Sequence, residues 1–111
     1  MAAQGDRKLY ISADMEGVAG VVTDHQLLTT GFEWERFREF MTLEVLAAIE
    51  AARATGIGEI VVSDSHGTGE NLLIERFPQD VTVVRSWPRP LAMVEGIDAS
   101  FHAAVFLGYH T

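Results

Sequence analysis

Ile60-Val61-Val62-Ser63-Asp64-Ser65-His66-Gly67 decides the fold class. Three β-branched residues in succession leave no polar face, so the segment reads as a strand covered on both sides. Such strands belong to parallel sheets. The strand then runs straight into polar residues and a glycine. Parallel sheets bind ligands in the crevice beyond the carboxyl ends of their strands, and His66 stands just past this end. Two other stretches share the form. Leu9-Tyr10-Ile11-Ser12-Ala13 runs into Asp14-Met15-Glu16-Gly17, and Ala103-Ala104-Val105-Phe106-Leu107 runs into Gly108-Tyr109-His110. Three apolar strands thus each deliver a metal-ligand type of side chain at the carboxyl tip.

The rest of the chain is arranged around these strands. Residues 1–6 read as a loose tail and 8–13 as the first strand. Residues 14–20 form a loop, with Gly17 and Gly20 supplying backbone freedom for a tight turn around an ion. Residues 21–31 mix short apolar pairs with Thr, Asp and His and read as loop. From 33 to about 55 the pattern is helical: Phe37, Met41, Val45, Ala48 and Ala52 recur at three- and four-residue steps, flanked by Phe40 and Ile49. Gly56 ends this helix, and the second strand follows over 59–63. A short helix is predicted over 71–77 with Leu72, Leu73 and Ile74 facing inward. A third strand is predicted over 81–84, a helical turn or two over 91–96, and the fourth strand over 103–107. The expected fold is α/β: a three-layer sandwich with a mostly parallel sheet, a strand-helix-strand start and a metal site at the C-terminal strand ends. A crossover helix normally covers a strand such as 103–107. Residues 1–111 are therefore expected to be the N-terminal, truncated part of a single α/β domain, with apolar surface open around Val105 and Leu107.

Composition narrows the function. The chain has 111 residues, 48% of them apolar, with eight basic against sixteen acidic side chains and a formal charge of −8. That balance disfavours nucleic acid and anionic membrane as partners. There is no cysteine, hence no disulfide and no thiolate ligand. No apolar run approaches the roughly 18 residues of a membrane span, and residues 1–6 carry no signal-like apolar core. A cytoplasmic enzyme is the expectation.

Asp14 and Glu16, two apart at a strand end, point the same way if strand geometry persists. Two adjacent carboxylates repel unless a cation lies between them. His66 and His110 would add nitrogen donors, which shifts the preference from magnesium or calcium towards zinc. In a two-metal site one carboxylate bridges ions about 3.5–4 Å apart, and Asp14, on the central tip, is the candidate bridge. Each residue has a blander reading. Asp-x-Glu before glycine is often a solvated turn, and a lone His at a strand end is often structural. Asp64 is either a ligand or, more in keeping with its place, a group that caps its loop or orients a neighbouring His. His25 and His102 read as surface residues and Tyr109 as packing. The coincidence of three strand tips favours the metal.

At these residues the chain resembles a known family. Lys8 to Gly17, Asp64-Ser65-His66, Met93-Val94-Glu95-Gly96 and Phe106 to His110 resemble the D-aminopeptidases of zinc peptidase family M55, in the family's order along nearly the whole chain. The resemblance implies a di-zinc aminopeptidase that removes N-terminal D-residues, such as D-alanine, from short peptides. It implies that Asp14 bridges two zinc ions, that Glu16 and His66 complete one site, and that His110 serves the other. It implies a ring-shaped homo-oligomer, a decamer, with its sites on an internal channel. A further glutamate ligand and the catalytic histidine are expected beyond Thr111, so no catalytic residue is assigned within the chain. The chain alone is expected to hydrolyse nothing. The alternatives are a two-metal hydrolase acting on another amide or a phosphoester, and a non-catalytic metal-binding or oligomerising fragment. Phosphoryl transfer would want Arg85 or Arg89 near the metals.

Overall fold

The computed structural model describes residues 4–111. Four strands, β1 (Lys8–Ala13), β2 (Glu59–Asp64), β3 (Thr82–Val84) and β4 (Ala103–Leu107), form a parallel sheet in the order β3-β2-β1-β4. Two helices accompany them, the short α1 (Asp24–Leu27) and the long α2 (Trp34–Ala54). Ala13 lies level with Asp64 on one side and Leu107 on the other. The three tips singled out in the sequence therefore end at one height. The ladder continues past them, with Ser65 N–H donating to the Ala13 carbonyl (2.8 Å) and Asp14 N–H to that of Leu107 (2.9 Å).

Alternation divides the sheet into two faces. Leu9, Ile11, Ala13, Ile60 and Val62 face α2, whose buried stripe is Phe37, Met41, Thr42, Val45, Ile49 and Ala52. Each large side chain in that stripe contributes on the order of 1.5–3 kcal/mol through burial. The opposite face carries Tyr10, Ser12 and Ser63. It is closed by the irregular segment 86–102, which includes a 3-10 turn at Ala92–Val94. Ser12 Oγ donates to the Met93 carbonyl (2.6 Å), and Tyr10 OH donates to that of Glu95 (2.7 Å). The third layer in this chain is thus a strap of loop and turn, fastened by hydrogen bonds to side chains of the sheet.

Three expectations change. Residues 1–3 of the expected tail lie outside the described residues, and Gln4–Asp6 form a 3-10 turn. Residues 21–31 contain α1. Residues 71–77 coil only at Ile74–Arg76, and Ile74 is exposed. There the N–H groups of Asn71 and Leu72 go to the Asp64 carboxylate and that of Leu73 goes to Thr42 Oγ. These bonds tie the non-helical backbone of residues 71–73 to β2 and α2. Residues 91–96 make the single turn at Ala92–Val94. As expected, β4 is the open edge: Val105 joins Leu9, Ala48, Ala51, Ala52 and Ile57 along an apolar groove of about 380 Å³. Among the described residues no helix is long and apolar enough to cross a membrane.

Candidate metal centre

The tips of β1, β2 and β4 bring Asp14, Glu16, His66 and His110 together. Asp14 presents Oδ1 to His66 Nδ1 at 3.1 Å and Oδ2 to His110 Nε2 at 3.5 Å. Glu16 does the same, with Oε1 at 3.0 Å from His66 Nδ1 and Oε2 at 3.4 Å from His110 Nε2. Each carboxylate therefore spans both imidazoles, and the cluster has two sides, each made of two oxygens and one nitrogen. Asp14, Glu16 and His110 offer ligand atoms that all lie within 4.8 Å of one another. Between the two carboxylates, Met15 is fully buried in the core, so the alternation of β1 carries on past its end. Asp14 and His66 are buried, Glu16 is partly open, and the His110 side chain is 50% exposed.

Close approach of β1 and β4 builds this geometry. Gly17 N–H donates to the Gly108 carbonyl (2.7 Å). Gly108 has φ +67, and a Cβ there would strike the Asp14 carbonyl. A Cβ at Gly17 would strike the backbone of Gly108 and Tyr109. Gly17 thus serves proximity, and not the backbone freedom expected of it.

The chemistry of the donors fits zinc. Nitrogen and carboxylate oxygen in a half-buried pocket are its usual ligands. His66 Nε2–H donates to the Leu27 carbonyl at 2.8 Å, which leaves Nδ1 as the atom aimed at the carboxylates. A metal-ligating histidine is held by such a bond on its other nitrogen. The Leu27 carbonyl is not legible in residues 21–31, whose short apolar pairs show no period. The available signal was Thr23-x-x-Gln26, a capping box.

Without metal the cluster holds a proton. Burial opposes charge on the His66 ring, but its bonds to Asp14 and Leu27 and the charge of Glu16 outweigh this and raise its pKa from 6.5 to about 9. Burial also pushes Asp14 up, and the His66 bond and the Met15 N–H overcome it, holding that carboxyl below its ordinary 3.8. Stability from His66 is therefore complete below its ordinary value of 6.5 and is lost as pH rises through about 9. Stability from Asp14 is complete above 3.8 and is lost as pH falls below it. The melting temperature of the chelator-treated chain should accordingly decline between pH 6.5 and about 9. Zinc needs the neutral imidazole, so its apparent affinity should rise over the same window. Melting curves with and without zinc check both trends, and curves that run parallel contradict the assignment.

Asp64 is fully buried and makes no bond to an imidazole. Its oxygens accept from Asn71 N–H (2.6 Å), Leu72 N–H (2.7 Å) and Asn71 Nδ2 (2.9 Å), and Asn71 Nδ2 also reaches the His66 carbonyl (2.7 Å). Asp64 thus supports His66 through Asn71 and is too deep to meet a substrate. Arg89 is buried as well. Its guanidinium donates to Ser63 Oγ and to the carbonyls of Asp64, Ser86 and Val84. Tyr109 OH bonds Ser12 Oγ (2.5 Å), and its ring packs edge-on against Phe106. His25 packs against Phe32 with the rings tilted, and His102 Nδ1 accepts from Lys8 N–H.

Known proteins resemble this chain in sequence and in fold. The D-aminopeptidase model of peptidase family M55 matches residues 7–111. The chain belongs to the D-aminopeptidase family. It is 39% identical over 103 residues to a D-aminopeptidase of Bacillus subtilis (strain 168), covering 93% of this chain and 38% of that protein. Its structure matches the Zn-dependent D-aminopeptidase DppA from Bacillus subtilis, a self-compartmentalizing protease, with a TM-score of 0.90 at 38% identity. That match covers 94% of this chain and 38% of the other. The chain therefore spans well under half the length of these D-aminopeptidases.

Proposed function

We propose that the chain forms the N-terminal metal-binding part of a zinc-dependent aminopeptidase that releases N-terminal D-residues, such as D-alanine, from short peptides. The observation that carries this is the pair of carboxylates spanning two histidines at level strand tips, in a chain of the D-aminopeptidase family. Asp14 and Glu16 would face both of two zinc ions, His66 one of them and His110 the other. When bound, zinc supplies Lewis acidity towards a scissile carbonyl and makes water acidic near neutral pH. The chain's own residues do the rest. Buried Asp14 keeps its charge. His66 is held with Nε2–H on the Leu27 carbonyl and Nδ1 turned towards Asp14 and Glu16. Glu16, on the open side, adds negative charge that favours the α-ammonium group of a peptide N-terminus. The engagement of Arg89 with backbone and Ser63 leaves no buried guanidinium for a phosphoryl group, which weighs against a phosphoester substrate. The assembly proposed is a ring-shaped homo-oligomer, a decamer by family resemblance, in keeping with the self-compartmentalizing relative.

The division of labour within the parent protein is part of the proposal: this chain binds metal, and further groups needed for turnover come from elsewhere in the longer protein. The 111-residue chain should retain zinc on dialysis and release no D-alanine from D-alanyl-D-alanine. Zinc-dependent release by this chain would overturn that division. Failure to retain zinc would overturn the metal site.

A further inference from the structure

We propose that Gln26 is a positioning residue for His66, acting through the Leu27 carbonyl, and that the loop of residues 22–33 is a strap that fixes the imidazole tautomer. The proposal rests on reading His66 as a metal ligand and names what holds it ready.

The Leu27 carbonyl that receives His66 Nε2–H belongs to the last residue of a four-residue helix. So short a helix has no cooperative stability of its own. Its geometry comes from Gln26, which is 4% exposed. Gln26 Oε1 accepts from Val22 N–H (3.0 Å), Thr23 N–H (2.8 Å) and Thr23 Oγ (3.2 Å). Gln26 Nε2 donates to Glu33 Oε1 at 2.7 Å. Glu33 is the N-cap residue of α2, and its other oxygen pairs with Arg36 at 2.9 Å. Glu33 N–H also donates to the His25 carbonyl (3.0 Å). One buried amide thus ties the entry of the loop to its exit, and the carbonyl that orients His66 is on the next residue.

The consequence is specific to one side of the cluster. A shift of about 1 Å in the Leu27 carbonyl would break its bond to Nε2. The ring could then carry its proton on Nδ1, the atom that faces Asp14 and Glu16, and in that tautomer it cannot bind a metal there. His110 has no contact with the strap among the described residues, so its side of the cluster should be unaffected. A purely structural role for Gln26 would lower the melting temperature and leave the two sides equally able to bind.

The test uses zinc titrations of the 111-residue chain, wild type, Gln26→Glu, and the double variant Gln26→Glu with Glu33→Gln. Gln26→Glu sets two carboxylates against each other. The double variant restores a donor-acceptor pair with its polarity reversed. Gln26→Glu should weaken binding at one zinc position about tenfold, as loss of support behind a ligand does. The other position should be unchanged, and the double variant should recover the wild-type titration. Nitrogen-15 spectra of the zinc-loaded wild type should show His66 protonated on Nε2. A folded Gln26→Glu chain that binds as wild type does, or a His66 protonated on Nδ1 in the zinc-loaded protein, would overturn the proposal and leave the metal site standing. A wild-type chain that binds no zinc would overturn both.

Discussion

Asp14→Ala is expected to abolish zinc binding at both positions. Among the described residues, no other single side chain both lies buried and faces the two imidazoles. Removing a partner behind a ligand already costs about 10–100-fold in metal affinity, so removing a ligand shared by two ions should exceed that. The variant also leaves the raised basicity of His66 without its main anionic partner, and the residual cluster of Glu16 with two histidines has one carboxylate where two are needed. His110→Ala, by contrast, should empty one position and spare the other. Elemental analysis of the dialysed wild type and both variants gives the comparison. Equal loss in the two variants would contradict the two-sided arrangement.

Asp64→Ala is expected to produce the largest loss of stability. The substitution strands two donors, the N–H groups of Asn71 and Leu72, in a region with no solvent access, and leaves the Asn71 side-chain amide with the His66 carbonyl alone. Each buried donor left without a partner costs about 1–3 kcal/mol. For a domain of this size 1 kcal/mol corresponds to about 4–8 °C in melting temperature. A fall of more than about 10 °C in the metal-free chain is therefore expected, and thermal denaturation followed by circular dichroism measures it. If Asp64 were instead a metal ligand, the metal-free variant would melt close to the wild type.

Much of this was legible in the sequence, and the reason is local. β1, β2 and β4 announce themselves as β-branched or apolar runs that stop at polar residues, so their tips and the ligand-type side chains on them could be placed from pattern alone. Helix α2 was legible because 21 residues give its three-to-four periodicity room to repeat. What escaped is what depends on partners far away in the chain. The irregular path of residues 71–73 is held by Asp64 and Thr42, and no propensity in Asn71-Leu72-Leu73 encodes it. Helix α1 is one turn long, too short for any period, and only the Thr23-x-x-Gln26 spacing marks it. Gly17 is necessary for a reason that no local pattern shows. Its role is set by the backbone of Gly108, more than ninety residues away along the chain.

The central claim is that the strand tips hold two metal positions and not one. Anomalous diffraction at the zinc edge, from crystals of the zinc-loaded chain, tests it most directly. The account expects two peaks, one bounded by Asp14 Oδ1, Glu16 Oε1 and His66 Nδ1, the other by Asp14 Oδ2, Glu16 Oε2 and His110 Nε2. A single peak, or no peak at the tips with the four side chains still hydrogen-bonded to one another, would contradict it.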